Sequence, residues 1–335
     1  MDSIRIINVP DMSPGDAFVD VPEIDGRRTA WIGHSGLPSN ALERRVRRPR
    51  LSRYRAAWNA TGEERRSAVL ISHLPRMTQA VELAARVRGR RLPHLAFSFN
   101  FTDLPRGRDL ALMRRTLSMV EQFCVYSGHE ATLYPELFDI PADRFRQVRW
   151  GQSAPAADPS AATPDGPFGM AIGGEGRDID GILAAARLRP DLRWVVVTRP
   201  NRALENPPGN VSVRFNLPAA LTWGMALHAA AVVVPLRSED TCCGHITIAS
   251  TQLLGLPLIT TRSHATREYV EGMPGTDVIE SNDPDGLAAA AARALSDPIA
   301  IRATAGLARD LAAARYDRAA WARLIVEFAG ARIRP

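Results

Sequence analysis

The sequence predicts an α/β chain of two Rossmann-like, doubly wound parallel-sheet domains facing a cleft. Three observations lead there. The chain has 335 residues, 45% of them hydrophobic, more than one compact domain usually holds and enough for two cores. Each half alternates short β-rich apolar runs with amphipathic helices, the pattern of a parallel sheet covered on both faces. Between the halves lies a Pro/Ala/Ser-rich stretch, residues 152–167 (QSAPAADPSAATPDGP), which has a linker composition. The expected division is a first domain at 1–151, a linker at 152–166 and a second domain at 167–335, with the last helix a candidate to pack back on the first.

In the first half, residues 67–72 (SAVLIS) form a short buried-strand run, and a helix follows at about 77–87. A strand at 94–100, a helix at about 107–120 and a strand at 122–127 complete the pattern. In the second half a strand at 167–172 leads to a helix at 178–188, whose apolar positions Ile179, Ile182, Leu183 and Ala186 share one face. Strands at 192–198 and 211–215, a helix at 219–230 and a strand at 231–236 follow. A helix at about 246–254, a strand at 257–261 and closing helices from 284 onward end the chain. Doubly wound sheets bind ligands at the carboxyl ends of their strands, so the cleft between the two units is the expected site.

Composition narrows the classes. The longest apolar runs, such as residues 226–236, are shorter than the ~18 residues of a membrane span. The start, MDSIRIINVP, lacks the apolar core and cleavage site of a signal peptide, so a cytoplasmic location is expected. Three cysteines, Cys124, Cys242 and Cys243, give neither a disulfide framework nor a C-x-x-C metal pattern. The net charge is +6 with a pI near 9.9, and every basic charge is arginine. Arginine suits planar oxyanions such as phosphate, although a codon usage rich in Arg, Ala and Pro gives the same composition. The densest basic run, Arg44 to Arg55, is a candidate for a phosphorylated acceptor, for peripheral contact with the inner membrane face, or for a plain solvated loop. Nucleic acid ranks last, because no aromatic interleaving or known module accompanies the charge.

The most informative window is residues 232–261 (VVVPLRSEDTCCGHITIASTQLLGLPLITT). It reads as a buried strand, a polar loop, a helix start at Gly244, His245, Ile246 and Thr247, and then Gly-Leu-Pro before another strand. Free backbone N–H groups and the helix dipole make such a start an anion site. Upstream, Gly173-Gly174-Glu175-Gly176-Arg177 follows a strand and opens a helix; its glycines allow close backbone approach, and Arg177 offers a forked donor. Arg199, at the end of RWVVVTRP, is a second cation. His73 ends a buried strand and is either a satisfied structural residue or a group that points into the cleft.

The 232–261 window resembles the nucleotide-binding region of GT-B glycosyltransferases, especially the retaining family 4. Pro235-Leu236, Cys242-Cys243-Gly244 and Gly255-Leu256-Pro257 take the places of that family's motif. Ser250 stands where the family's ribose-contacting Glu is expected, and the Glu beside the sugar falls near Thr241 unless a shifted loop supplies Glu239. By the same resemblance, Gly174, Gly176, Arg177 and Arg199 would hold the donor diphosphate, and Phe215, Asn216 and Leu217 would meet the nucleoside. His73 and Glu239 would be catalytic, while Asn100 and Asp103, in FSFNFTDLP, would meet the acceptor. The resemblance covers roughly residues 65–300. It implies transfer of a sugar from a nucleotide-diphosphate sugar to an acceptor hydroxyl on a glycan, lipid or small molecule, with no cofactor and no metal, and with retention as the default. An inverting route would need His73 or Asp103 as base. The alternative is a GT-B-fold nucleotide-sugar-binding protein without catalysis; a nucleotide-sugar epimerase is a third reading.

Overall fold

The computed structural model describes residues 3–12, 21–46, 50–200, 204 and 206–333. The chain divides into two units, the first made of Met1–Arg149 and Arg318–Pro335, the second of Trp150–Asp317.

The first unit opens with β1 (Ile4–Val9), the hairpin β2 (Glu23–Ile24) and β3 (Arg27–Gly33), then α1 (Ala41–Arg45) and α2 (Leu51–Gly62). It continues with β4 (Ala68–His73), α3 (Pro75–Arg88), β5 (His94–Phe97), α4 (Gly107–Leu117), β6 (Gln122–Val125), α5 (Gly128–Phe138) and β7 (Phe145–Gln147). The sheet order is β2-β3-β1-β4-β5-β6-β7, parallel except for the β2–β3 hairpin. Expected strand 94–100 stops at Phe97, because Ser98 adopts φ 52° and turns the chain out of the sheet. Two cores cover the sheet. One joins α2 and α3 to β1 and β4 through Ala56, Ala60, Leu70, Met77 and Val81. The other is aromatic, with Phe99, Phe123, Tyr134, Phe138 and Phe145 fully or nearly buried in edge and stacked contacts.

The second unit runs β8 (Phe168–Ile172), α6 (Ile179–Leu188), β9 (Arg193–Thr198), β10 (Val211–Phe215), α7 (Ala219–Ala226), β11 (Ala231–Val234) and α8 (His245–Leu253). Then come β12 (Leu258–Thr261), α9 (Arg267–Val270), β13 (Thr276–Ile279), α10 (Pro284–Ser296), α11 (Pro298–Gly306) and α12 (Ala308–Arg315). Its six strands are all parallel, in the order β10-β9-β8-β11-β12-β13. Each face carries its own core. Ile182, Leu183 and Ala186 of α6 meet Leu287 and Ala291 of α10 on one side. Trp223 of α7, Ile248 and Leu253 of α8 and Ala308 of α12 pack on the other. Apolar residues on both faces of every central strand explain why these strands read as unbroken hydrophobic runs.

The Pro/Ala/Ser-rich stretch packs against the second unit. Asp158 N–H donates to Ala220 O over 2.9 Å and Ala161 is buried in the α7 core. A Cβ on Gly224 would stand 1.8 Å from the Asp158 carbonyl oxygen, so only glycine admits this approach. The last helix, α13 (Ala319–Gly330), lies in the first unit. There Trp321 Nε1 donates to Arg149 O over 3.1 Å and its ring meets Phe97 edge-on at 5.2 Å.

Candidate functional site

In the second unit the chain leaves β8 first to β9 and β10 on one side, then crosses to β11 on the other. The carboxyl ends of β8 and β11 therefore flank the point where strand order reverses, the position at which doubly wound sheets open a crevice. Two loops meet there, 173–178 after β8 and 235–244 after β11. Arg177 and Leu236 form an antiparallel bridge. Asp178 N–H donates to Pro235 O over 2.9 Å, and Arg237 N–H donates to Gly176 O over 3.1 Å.

Backbone approach sets the shape of this edge. A Cβ on Gly174 would lie 2.8 Å from Thr198 Oγ1, so the glycine lets the loop press on the end of β9. Gly244 holds φ 101°, a left-handed conformation that costs glycine little, and acts as the N-cap of α8. Among the described residues no side chain caps this nine-residue helix, and its first turn holds no acidic residue. Ile248 N–H closes the first turn onto Gly244 O over 3.0 Å. The early N–H groups of such a start point along the axis with the positive end of the helix dipole.

Arg177 is buried at 6% exposure. Its Nε donates to Ile172 O over 3.1 Å, its Nη2 to Thr247 Oγ1 over 3.1 Å, and its Nη1 to Glu175 O and Cys243 Sγ over 3.4 and 3.5 Å. The guanidinium thus ties both loops to α8 from below instead of presenting an open fork. Burial lowers its pKa, while Cys243 and Glu175 act in the opposite sense. The cation remains charged, because the guanidinium is not deprotonated in proteins. Arg199 is an exposed cation of the edge, as is Arg237 on the 235–244 loop, and Arg199 Nη1 lies 3.1 Å from Glu175 Oε1.

The remaining expected residues fall in three places. Ile246 is more than half exposed at the helix start and Thr247 is buried beneath it. The His245 ring is buried against Tyr269, with Nε2 3.1 Å from Ala265 O, and burial lowers its pKa to about 4. It is neutral at pH 7, so the ring brings no cation to the edge and only its backbone N–H faces the helix start. Phe215 is half-exposed, Asn216 turns at φ 51° with its N–H donating to Thr198 O over 3.1 Å, and Leu217 packs on the core below. The Ser250 hydroxyl is buried and accepts from Gln152 Nε2 over 2.7 Å, and Gln152 Oε1 accepts from Trp150 Nε1 over 2.6 Å. Glu239 stands on the 235–244 loop with its carboxylate 3.5 Å from His264 Nε2.

His73, Asn100 and Asp103 belong to the first unit. His73 ends β4, is 3% exposed, and places Nε2 2.8 Å from Asn8 Oδ1 with its ring against Phe97. Burial lowers its pKa to about 3, which makes it a satisfied, neutral core histidine and a weak base. Asn100 N–H donates to Ser98 O over 3.1 Å, and Asp103 is exposed on the following loop. In the basic run, Arg50 and Arg53 pair with buried Asp11, and Arg55 pairs with buried Glu43. Those three arginines share two buried carboxylates within the fold, while Arg44 and Arg45 are exposed and Arg47, Arg48 and Pro49 lie outside the described residues.

Three residues join the edge that the sequence did not single out: Thr198, Glu175 as an ion-pair partner, and Cys243. The signal for Thr198 is its place as the last residue of a buried strand. Asp178-Ile179-Asp180 has an Asp-x-Asp spacing, but Asp178 caps α6, accepting from Gly181 N–H over 2.9 Å. Among the described residues no cluster of three or more His, Cys, Asp or Glu could hold a metal ion, and no helix is long and apolar enough to cross a membrane.

No family model matches the chain, and no curated protein matches its sequence. Solved structures match it over nearly its whole length. A glycosyltransferase from Rickettsia africae superposes with a TM-score of 0.67 at 12% identity, covering 100% of both chains. Anabaena HepE in complex with UDP and glucose gives 0.64 at 12% identity, over 90% of this chain and 86% of the other. A trehalose-phosphate synthase from Burkholderia xenovorans in complex with glucose-6-phosphate gives 0.65 at 12% identity, over 97% and 100%.

Proposed function

We propose that this chain, whose two parallel-sheet units are those of the GT-B fold, is a glycosyltransferase that moves a sugar from a nucleotide-diphosphate sugar to an acceptor hydroxyl, with retention and without a metal ion. The observation that carries this reading is the convergence of the 173–178 loop, Arg199 and the uncapped start of α8 at the strand-order reversal of the second unit. Backbone N–H groups and a helix N-terminus receive the diphosphate. Arg199 and the buried charge of Arg177 offset the charge that grows on the leaving phosphate, a stabilisation set in place before reaction. Phe215, Asn216 and Leu217 form the half-exposed ledge beside it for the nucleoside. Asn100 and Asp103 in the first unit are the acceptor candidates, and Glu239 is the carboxylate assigned to the sugar. The presence of UDP and glucose in the HepE structure supports a nucleotide-sugar donor.

The test is calorimetric titration with UDP, GDP, ADP and dTDP, followed by assay of nucleotide-diphosphate release from the matching sugar nucleotides. Saturable binding of one nucleotide with acceptor-dependent release supports the reading; no binding of any of the four removes it. Binding without turnover is a second reading, favoured by the engagement of Ser250 with Gln152 and by the burial of His73. Binding that persists with no release across varied acceptors would select it.

A further inference from the structure

Glu175 sits in the turn of the glycine-rich loop, a negative charge among cations, backbone donors and a helix start. Its carbonyl is held from inside by Arg177 Nη1 and Cys243 Sγ. Its carboxylate is two-thirds exposed and 3.1 Å from Arg199 Nη1, whose side chain is equally exposed. Gly174 fixes this pairing by bringing the loop onto Thr198 at the base of Arg199. The Thr198 hydroxyl is buried, faces Gly174, and has no hydrogen-bond partner among the described residues. A guanidinium fork accepts carboxylate and phosphate in the same geometry. A phosphate drawn to Arg199 therefore competes with Glu175 and, once bound, lies beside its charge.

We propose that Glu175 is a specificity residue that makes the site favour a nucleotide sugar over the free nucleoside diphosphate. This rests on the diphosphate reading of the site. In a nucleotide sugar the distal phosphate is a diester with one negative charge. After transfer it is a terminal phosphate, which ionises a second time near pH 6, so at pH 8 the product carries about one charge more than the donor. A fixed carboxylate beside Arg199 repels the product more strongly and hastens its departure.

The experiment compares wild type with Glu175→Gln, which keeps the shape and removes the charge at an exposed position. Dissociation constants are measured at pH 8 by calorimetry for UDP and UDP-glucose, or for the pair built on GDP, ADP or dTDP if that base is the one bound. The expected result is a tightening of the diphosphate by about three- to tenfold, the scale of one added charge contact near a protein surface, with a clearly smaller change for the sugar nucleotide. Glu175→Lys shifts the ratio further in the same direction. Equal factors for both ligands in both variants, or no change in either, would overturn the proposal while leaving the diphosphate site standing. Failure of wild type to bind any of the four diphosphates overturns the site itself.

Discussion

The two units reverse strand order in the same way, and the two reversal points are built from opposite materials. In the first unit the reversal lies between β1 and β4, where Asn8 and His73 bond to each other, both more than nine-tenths buried. Helix α3 begins there with Pro75, which has no N–H, and Leu74 O accepts from both Met77 and Thr78 N–H over 3.1 Å. Like the α8 start it has no side-chain cap among the described residues, and it differs in Pro75, which leaves it one backbone N–H fewer. In the second unit the reversal carries glycines, an exposed Arg199 and an α8 start without a side-chain cap. Topology places a reversal in both units; the first is occupied by the Asn8–His73 pair, with the Asp11 carboxylate and its two arginines following β1, while the second is where the proposed diphosphate site lies.

The largest test of this contrast is Glu130, fully buried in the first unit below the end of β6. It accepts from Tyr126 N–H and from the Ser127 and Tyr134 hydroxyls, and burial pushes its pKa up to about 7. Because this lies above the ordinary glutamate value of 4.5, Glu130 contributes stability that is fully present below pH 4.5 and lost as pH rises through 7. Glu130→Gln keeps an acceptor and removes the titration. Denaturation at pH 4.5, 6 and 8 should show wild type losing about 3 kcal/mol relative to the variant across that window; parallel pH curves would break the contrast.

Arg177→Ala should weaken nucleotide-diphosphate binding by about 2 kcal/mol, the scale of a charge several ångströms away at an effective dielectric of about 20. Calorimetry checks it, and an unchanged affinity would reduce Arg177 to a structural tie. Gly244→Ala forces a Cβ onto φ 101° at the start of α8 and should cost about 1 kcal/mol by denaturant titration. Arg199→Ala should change stability by less than about 1 kcal/mol, as expected of an exposed pair, while diphosphate affinity falls severalfold. A larger loss of stability would mean that Arg199 holds the edge together.

Buried strands were legible because both faces are apolar: the expected 67–72 is displaced by one residue from Ala68–His73, and the edge strand Val211–Phe215, where only Val211 is buried, coincides with the expected 211–215 through its alternation. The first 64 residues yielded no element: β1 is buried but carries Arg5 and Asn8 in its run, β2 is two residues long, β3 is half-buried with Arg27 and Arg28 in its run, and α2 lies in the arginine-rich stretch. Residues 152–167 looked like a spacer because small residues and prolines suit both free chain and close packing; Gly224, some 60 residues later, decides between them. At the site, the glycine turn and helix start were readable as local strand-loop-helix patterns. Side-chain direction was not. Arg177 turns inward to Thr247, His245 to Ala265, and Ser250 to Gln152, and each choice depends on a partner between 20 and 98 residues away.

The most direct measurement is a crystal structure with the nucleoside diphosphate that titrates most tightly. The expected result is density for both phosphates against the backbone of residues 173–176 and 244–247, with Arg199 turned from Glu175 toward phosphate oxygen. A diphosphate ordered instead on the first unit, at the Asn8–His73 edge or displacing Asp11 from Arg50 and Arg53, would contradict it.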